Sequence, residues 1–335
     1  ELTRRMRPYV GAWGSGAEMR ALSAVNIALW DLAGKRAQCP LYDLLGGRVR
    51  DSIPTYNTCA GPDYVSTTSD VRPENFNQAV GAYEDLTAFM EDPVSLAHSL
   101  LEMGIQSMKI WPFDFADGAR DGLDISVSDV KRGLAPFEAI RAAVGDRMAL
   151  KAELHGLWSL PAATKICNAL EPIGVDWVED PVWMDRPDLI AELQGLTGCP
   201  LAGGETLGGL GQFRELINAG GVSYPILDVA WGGGIDFARD VAALARAAGR
   251  PICFHDCSGP VTLAVSTHLS LSCPNVREQE MTRAFYFTAY DRLTTGLPVL
   301  DNGSLYLGSG AGHGVELRDG LAEASGSVLR VSAGA

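Results

Sequence analysis

The sequence alternates between short apolar segments rich in β-branched residues and longer Ala- and Leu-rich segments with helical periodicity. This alternation is typical of parallel strands joined by helices. We predict strands near 53–58, 105–110, 147–153, 175–179, 200–205, 224–229, 251–255 and 275–280. The predicted helices between them lie near 94–103, 130–144, 160–171, 187–196, 210–219, 235–248 and 260–271. Eight strands and seven helices predict an α/β fold, a modified TIM barrel of the (β/α)7β kind over residues 51–297. An open, doubly wound sheet is the alternative.

Residues 1–50 and 298–335 flank the predicted barrel. The segment EMRALSAVNIALWDLAGKRAQ has apolar residues at 22, 25, 29, 32 and 33, which is a helical spacing, and glycines at 46 and 47 end the next turn. Past residue 290 the pattern gives way to Gly-rich turns and a strand-like SVLRVS. We therefore treat 1–50 as a helical N-terminal segment and 298–335 as a separate C-terminal segment. The connection at 60–92 is of a length that usually carries function.

The composition limits the partners of the protein. A formal net charge of −14 argues against nucleic acid. No apolar run approaches the roughly 20 residues that span a bilayer, and no signal peptide is visible. Seven cysteines without a C-x-x-C pair indicate reduced thiols, and we interpret Cys253 and Cys257, on either side of His255, as packing residues. We therefore expect a cytoplasmic protein that acts on a small molecule and has no membrane partner.

A charged residue closes seven of the predicted strands. In chain order these residues are Lys109, Glu153, Glu179, Glu205, Asp228, His255 and Glu280. From Glu153 onward the steps are 26, 26, 23, 27 and 25 residues, which is one strand–helix unit per step. Since the C-terminal strand ends of a parallel barrel form one mouth, we expect all seven side chains to meet there.

Three of these residues, Glu153, Glu179 and Glu205, are carboxylates on adjacent predicted strands. They cannot stay ionised close together unless a cation neutralises them. An all-oxygen set of ligands suits a hard ion such as Mg²⁺. Salt bridges to arginines are the alternative, but few basic residues stand beside them in the sequence. The pattern therefore predicts a Mg²⁺ site.

The chain resembles the enolase superfamily, and specifically its mandelate racemase branch. The segments that carry the resemblance follow the family's order over nearly the whole chain: AVNIALWDLAGK, PLYDLLGGRVRDSIPTYNT, KAELHGLW, WVEDPV, GGETL, ILDVAWGGGI, FHDCSGP and PNVREQE. The resemblance implies removal of a proton next to a carboxylate, with a metal ion that stabilises the enediolate. It also implies a homo-oligomer, either a dimer or an octamer. The resemblance implies that 1–50 is the helical remnant of an α+β capping domain to which 298–335 returns. The segment that usually precedes AVNIALWDLAGK in the family is not evident, so we expect this domain to be partial.

The resemblance also implies a role for each strand-end residue. It makes the three glutamates the Mg²⁺ ligands, with Glu153 at a position where relatives often have aspartate. It matches His255 and Asp228 to the general-base pair of the branch, in which the carboxylate fixes the imidazole tautomer. Glu280 matches a protonated carboxyl that hydrogen-bonds the enolate. Lys109 matches the first lysine of a Lys-x-Lys pair and would hold the substrate carboxylate.

One departure from the family pattern bears on the reaction. Trp111 stands at the position of the second lysine, which a racemase of this branch would use as a base. His155, two residues beyond Glu153, matches a histidine that acid-sugar dehydratases use to protonate the leaving β-hydroxyl; hydrogen bonding to a metal ligand is its alternative role. The resemblance thus favours Mg²⁺-dependent dehydration of a sugar acid (an aldonate or aldarate) to a 2-keto-3-deoxy acid. A racemase or epimerase, or an inactive family member, remains open.

Further residues are predicted to surround the site. We expect Asn57, Trp111 and Trp231 to contact the substrate, and Lys151 to neutralise the carboxylates or to pair near Asp228. The Gly-rich GGETLGGLG and WGGGI match no phosphate-binding motif, and we interpret them as tight turns between strand and helix. Three other histidines are expected to be structural: His98, His268 and His313.

Overall fold

Eight parallel strands form a closed barrel in the computed structural model, which describes residues 16–62 and 83–323. Each strand pairs with its successor, and the last pairs with the first, so that Tyr56 lies opposite Glu280. This closure confirms the predicted barrel and excludes the open sheet. The strands are β1 (Ser52–Thr58), β2 (Ser107–Ile110), β3 (Ala149–Glu153), β4 (Trp177–Glu179), β5 (Leu201–Gly203), β6 (Tyr224–Leu227), β7 (Ile252–Phe254) and β8 (Val276–Met281).

Helices occupy each of the seven connections between these strands, as the alternating sequence pattern predicts. Two helices precede the barrel, α1 (Ala17–Ala37) and α2 (Leu41–Leu44). The connections contain α3 (Asp85–Glu91), α4 (Pro93–Glu102), α5 (Val127–Val144), α6 (Leu160–Leu170), α7 (Pro187–Gln194), α8 (Gly209–Ala219), α9 (Gly234–Ala247) and α10 (Pro260–Ser272). Two short 3₁₀ turns, Pro112–Phe115 and Asp117–Arg120, follow β2.

Local sequence signals explain where several helices begin. Asp92 accepts a hydrogen bond from the backbone N–H of Ser95 at 3.2 Å and so caps α4, which also starts with a proline. Ser126 caps α5 in the same way, through the N–H of Asp129 at 3.0 Å. These caps determine where the two helices begin.

The chain beyond the barrel returns to its first strand. After β8 come α11 (Arg283–Phe285), a π-helical turn (Tyr286–Tyr290), α12 (Asp291–Leu293), β9 (Thr294–Thr295), β10 (Val299–Asp301), β11 (Ser304–Tyr306) and β12 (Glu316–Leu317). Strand β11 pairs antiparallel with the start of β1, and β12 pairs with β9. The predicted strand at SVLRVS and the middle of the predicted 60–92 loop, 63–82, lie outside the described residues. Helix α4 matches the helix predicted at 94–103, whereas α3 was not predicted and lies within the predicted 60–92 loop.

Two apolar regions support the barrel. The larger lies between strands and helices, and the smaller fills the barrel interior with Tyr56, Trp177, Ala202, Ile226 and Cys253. Interior side chains of this kind make the barrel a packed core rather than a pore. Among the described helices, none combines the length and apolar character needed to cross a bilayer.

The predicted helix over 18–38 is confirmed as α1, but only part of the predicted apolar face is buried: Leu22 is buried. Val25 and Leu32 are 44% and 53% exposed, whereas the polar residues Ser23 and Asn26 are buried. Ser23 Oγ accepts the N–H of Gly233 at 2.9 Å, and Asn26 donates to Asp236 at 2.9 Å. Hydrogen bonds to the start of α9 therefore orient α1 together with its buried apolar residues, Met19, Leu22 and Ile27.

Candidate metal and acid–base site

Three glutamates meet at the C-terminal mouth of the barrel. Glu153, Glu179 and Glu205 each offer a carboxylate oxygen within 4.8 Å of the other two. Glu153 and Glu179 lie in register on neighbouring strands. Glu205 reaches them because Gly203 and Gly204, with φ of 147° and 119°, bend the chain at the end of β5. A Cβ on Gly203 would lie 2.1 Å from Asp180 Oδ1, so the turn requires glycine there.

Lys109 forms ion pairs with two of these carboxylates and with Glu280. Its Nζ lies 2.5 Å from Glu179 Oε1, 3.1 Å from Glu153 Oε2 and 3.0 Å from Glu280 Oε1, and all four side chains are buried. Burial alone would lower the pKa of Lys109, but the charges on Glu179, Glu280 and Glu153 outweigh it and raise the pKa well above its usual value. Burial would raise the pKa of Glu153, but the nearby Lys109 lowers it to about 2. The ion-pair partner of these carboxylates is therefore one lysine, and not the arginines considered as the alternative to a metal ion.

The second oxygen of two of these carboxylates is held by the protein. Glu153 Oε1 accepts the backbone N–H groups of Leu154 and His155 at 3.0 and 2.8 Å. Glu179 Oε2 accepts the indole N–H of Trp177 at 2.8 Å. The remaining oxygens therefore point toward a common centre before any ion binds. The donor set consists of buried carboxylates that outnumber the lysine, which suits a hard divalent cation such as Mg²⁺.

His255 and Asp228 form a buried pair on the far side of the cluster. His255 Nδ1 lies 2.7 Å from Asp228 Oδ2, and its Nε2 lies 3.5 Å from Glu205 Oε2. Asp228 also accepts hydrogen bonds from Ser258 Oγ, at 2.7 Å, and from the N–H groups of Ala230 and Trp231, at 2.6 and 3.0 Å. The carboxylate is thereby fixed, and it orients the imidazole so that Nε2 faces the cluster.

The charge around His255 favours its protonated form. Burial alone would lower the pKa of His255, but the carboxylates of Glu205 and Glu280 outweigh it and, with Asp228, raise the pKa well above its usual value. A cation bound among the glutamates would oppose this effect, because it would cancel their charge.

Glu280 lies between Lys109 and the backbone of β7. It accepts hydrogen bonds from Thr58 Oγ1, from Lys109 at 3.0 Å, and from the N–H of Asp256 at 3.3 Å. Three donors thus surround this carboxylate, for which the family resemblance implies a protonated form. Sequence reasoning missed Thr58, which faces into the barrel because it follows the inward-facing Tyr56 by two residues.

Asn57 points the other way. Its side chain is fully buried, donates to Asp85 Oδ2 at 2.9 Å, and accepts the N–H of Arg283 at 2.9 Å. Arg283 in turn makes two hydrogen bonds to Asp85. The geometry thus gives no support to the prediction that Asn57 contacts substrate, because strand alternation turns it toward the helices and Thr58 into the mouth.

Lys151 also lies away from the mouth. Its Nζ contacts Asp176 and Glu278 at 3.2 and 3.1 Å, and lies 4.3 Å from the centre of the Trp177 ring. The prediction that it neutralises the cluster or pairs near Asp228 was therefore wrong. Since it precedes Glu153 by two residues on β3, it faces the same interior but closer to the opposite end of the barrel.

A second histidine–carboxylate pair stands beside the glutamates. His155 Nδ1 lies 2.5 Å from Asp114 Oδ2, in the 3₁₀ turn after β2. Burial would lower the pKa of His155, but the charges on Asp114 and Glu153 raise it to about 9. No sequence pattern indicates Asp114, since it belongs to a turn and not to a strand end. Strands β3 and β7 are four apart in a barrel of eight, so His155 and His255 approach from opposite sides.

Two tryptophans predicted to contact substrate each lie against one of these histidines. The Trp111 ring is 5.7 Å from that of His155, edge to face, and only 1% of Trp111 is exposed. The Trp231 ring is 4.8 Å from that of His255, with the guanidinium of Arg20 4.4 Å from its centre. Trp231 is the less buried of the two.

A cavity of about 430 Å³ opens next to the cluster. His155, Asp180 and Thr206, which lie in its wall, follow the three candidate ligands by two, one and one residues. The rim is completed by other side chains, among them Arg120, Trp183 and Met184. The volume is sufficient for a small organic molecule next to the carboxylates.

The sequence matches two protein-family descriptions. Enolase C-terminal domain-like covers residues 84–321, and the mandelate racemase / muconate lactonizing enzyme N-terminal domain covers residues 3–46. A D-galactonate dehydratase family member from Enterococcus gallinarum (strain EG2) is 29% identical over 322 residues, which is 93% of this chain and 74% of that protein. A D-galactonate dehydratase from Ralstonia nicotianae is 30% identical over 269 residues, or 80% of this chain and 62% of that protein.

Solved structures show the same similarity. An enolase protein from environmental sequencing of the Sargasso Sea is 40% identical with a TM-score of 0.85, covering 98% of this chain and 81% of that one. An enolase of the mandelate racemase subgroup from Agrobacterium tumefaciens is 40% identical with a TM-score of 0.82, covering 95% and 78%. The similarity extends over the barrel and the helices before it.

Proposed function

Because the chain belongs to the mandelate racemase and muconate lactonizing enzyme family of the enolase superfamily, we propose that it dehydrates a sugar acid, an aldonate or an aldarate, to a 2-keto-3-deoxy acid with Mg²⁺. The observation that carries the proposal is the meeting of three buried glutamates with two histidines, one on each side of them. Relatives named for D-galactonate dehydratase support the choice of a sugar acid.

The three glutamates Glu153, Glu179 and Glu205 would hold the metal ion. When bound, a divalent ion there supplies positive charge that binds the substrate carboxylate and stabilises the negative charge of the enediolate. Lys109 adds a second positive charge from β2 and neutralises part of the same carboxylate.

His255 removes the proton on the carbon next to the substrate carboxylate. Its Nε2 is the atom that takes this proton, because Nδ1 is held by Asp228. Glu280 lies next to Lys109 and, in the protonated form that the family resemblance implies, hydrogen-bonds the enediolate. Trp231 covers one face of the His255 ring and restricts water on that side.

His155 then completes the reaction from the other side. It gives a proton to the β-hydroxyl, the C–O bond breaks, and water leaves. The enol that remains tautomerises to the 2-keto-3-deoxy acid. His255 takes one proton and His155 gives one, so the total number of protons on the enzyme is unchanged. Proton exchange with solvent then returns each histidine to its starting protonation state.

A second candidate function rests on the same geometry. Since His155 and His255 approach from opposite sides, His155 could serve as the second base of a racemase or epimerase, in place of the lysine that Trp111 replaces. Such an enzyme would return the α-proton to the opposite face and would form no keto product.

The two candidates are separated by assaying C4 to C6 aldonates and aldarates with Mg²⁺ in D₂O. We expect a 2-keto-3-deoxy acid from at least one of them. Epimers with deuterium at the α-carbon and no keto acid would favour the second candidate. No product and no exchange of the α-proton with any of these acids would contradict both.

Variants connect the activity to the site. Glu205→Gln removes one candidate ligand and is expected to abolish turnover while the chain still folds. Glu215→Gln is the control, because Glu215 is exposed on α8 and lies away from the mouth. His255→Asn is expected to slow α-proton exchange by about 10²- to 10⁴-fold, the usual contribution of a general base.

A further inference from the structure

We propose that Asp114 is a positioning residue for His155, which it holds with Nδ1 toward the protein and Nε2 toward the cavity. The inference rests on the proposed function, in which His155 gives its proton to the leaving hydroxyl. Asp114 is a site residue that does not lie at the end of a strand. Its contact with His155 explains why Nε2, and not Nδ1, faces the substrate.

The two side chains of this pair differ in exposure. Asp114 Oδ2 lies 2.5 Å from His155 Nδ1, the Asp114 side chain is 2% exposed, and the His155 side chain is 32% exposed. The carboxylate thus lies behind the imidazole, and the imidazole lies in the cavity wall. Because Nδ1 donates to Asp114, Nε2 is the nitrogen left for the substrate.

Other contacts hold His155 without selecting a nitrogen. Its backbone has φ of 47°, and its N–H donates to Glu153 Oε1 at 2.8 Å. The edge-to-face contact with Trp111 restricts the tilt of the ring. A half-turn of the ring about its bond to Cβ would preserve these contacts but would exchange Nδ1 with a carbon. The hydrogen bond to Asp114 is what distinguishes the two orientations.

Asp114 has few other contacts that would account for its burial. Its Oδ1 has no hydrogen-bond partner among the described residues, whereas Asp228 uses both oxygens for several donors. A buried carboxylate with an unpartnered oxygen costs free energy. An uncharged residue could form the same turn. We therefore attribute the presence of a carboxylate at this position to its contact with His155.

The pair has the same form as His255 with Asp228. In both, a buried aspartate accepts from Nδ1, at 2.5 Å and 2.7 Å, and Nε2 is left for the reaction. The two pairs stand on opposite sides of the glutamates. In the proposed reaction, the pair of His155 and Asp114 gives a proton, and the pair of His255 and Asp228 takes one.

The first test needs no substrate. We would record the ring ¹⁵N signals of His155 by NMR in the whole chain, assigned by their loss in His155→Gln. We expect a protonated Nδ1 in the wild type, a similar spectrum for Asp114→Asn, whose amide oxygen still accepts a hydrogen bond, and a changed signal for Asp114→Ala. Identical His155 signals in wild type and Asp114→Ala would overturn the inference.

The second test separates the two halves of the reaction. Asp114→Ala is expected to lower kcat for dehydration by about 10²-fold, with a smaller loss for Asp114→Asn. Exchange of the α-proton with D₂O should persist, because His255 performs it. Fluoride leaves with less help from an acid than a hydroxyl does. With a substrate that carries β-fluoride in place of the β-hydroxyl, the kcat of Asp114→Ala should therefore be partly restored relative to wild type. The exposed neighbour Asp117→Ala serves as the control.

The outcomes distinguish the two proposals. If the wild type forms keto acid and Asp114→Ala matches it in kcat, the role of Asp114 is wrong and the proposed function stands. If the wild type neither forms keto acid nor exchanges the α-proton, the proposed function fails, and the NMR result still decides whether Asp114 orients His155. If Asp114→Ala does not fold, Asp114→Leu, which has a larger side chain and also removes the acceptor, is measured in its place with the same expected and contradicting results.

Discussion

Lys109 Nζ lies 2.5 Å from Glu179 Oε1, so a protein cation already occupies the side of this carboxylate that faces the other candidate ligands. Its contacts with Glu153 and Glu280 extend the same arrangement. Buried carboxylates without a counter-charge would be strongly destabilising. Lys109 therefore stabilises the fold when no ion is bound, in addition to its proposed contact with substrate.

This dual role predicts the behaviour of Lys109→Met. Without the lysine, the metal-free chain should lose about 3–5 kcal/mol in its free energy of unfolding, the usual cost of breaking a buried ion pair. Excess Mg²⁺ should restore most of the loss, because the ion replaces the missing charge. Urea unfolding with EDTA and with Mg²⁺ measures both effects.

Lys151→Met is the matched control. Lys151 is equally buried and also pairs with two carboxylates, Asp176 and Glu278, but away from the glutamates at the mouth. Its loss should destabilise the chain to a similar extent, and Mg²⁺ should give no greater rescue than in the wild type. Equal rescue of the two variants would count against a metal site next to Lys109.

Asn57 is predicted to support structure rather than to bind substrate. Asn57→Ala leaves the buried N–H of Arg283 without an acceptor and removes a donor to Asp85. We expect a loss of about 1–3 kcal/mol in the free energy of unfolding and an unchanged KM. Urea unfolding and steady-state kinetics on the best sugar acid test this, and a raised KM with unchanged stability would restore Asn57 as a substrate contact.

His268 predicts a dependence of stability on pH away from the site. Its Nδ1 accepts the N–H of Tyr42 at 3.1 Å, and burial lowers its pKa to about 4. Between pH 6.5 and 4 the unfolded chain therefore binds a proton at this residue that the folded chain does not, so stability falls as the pH falls. The loss from this one group should be about 2 kcal/mol between pH 7.5 and 5.

His268→Asn provides the comparison, since an amide stays neutral over this range and its oxygen can still accept from Tyr42. Chemical unfolding at pH 7.5 and 5 should show a smaller loss for the variant than for the wild type. The same loss in both proteins would show that other groups account for the dependence on pH.

The barrel and the convergence of its strand-end residues could be predicted because both follow from one period. A repeat near 25 residues, with a charged residue closing each strand, determines which side chains share the mouth. The two Gly-rich segments were also predicted correctly as tight turns, and the positive φ of Gly203, Gly204, Gly233 and Gly234 shows why glycine stands there.

Features that depend on a single residue of register could not be predicted. Asn57 and Thr58 are neighbours, and the end of β1 had to be known to one residue to tell which of them faces inward. Asp114 lies in a 3₁₀ turn without any periodicity, so its contact with His155 appears only in three dimensions. The polar face of α1 was missed because apolar spacing carries no information about hydrogen bonds to α9.

The central claim, that three glutamates hold one divalent ion, is tested most directly by anomalous diffraction from crystals of the chain grown with Mn²⁺ in place of Mg²⁺. We predict one strong peak at the barrel mouth, at about 2.2 Å from an oxygen of each of Glu153, Glu179 and Glu205, and none in crystals of Glu205→Gln. Wild-type crystals without a peak there, in which Lys109 keeps its contacts with Glu153 and Glu179, would contradict the account.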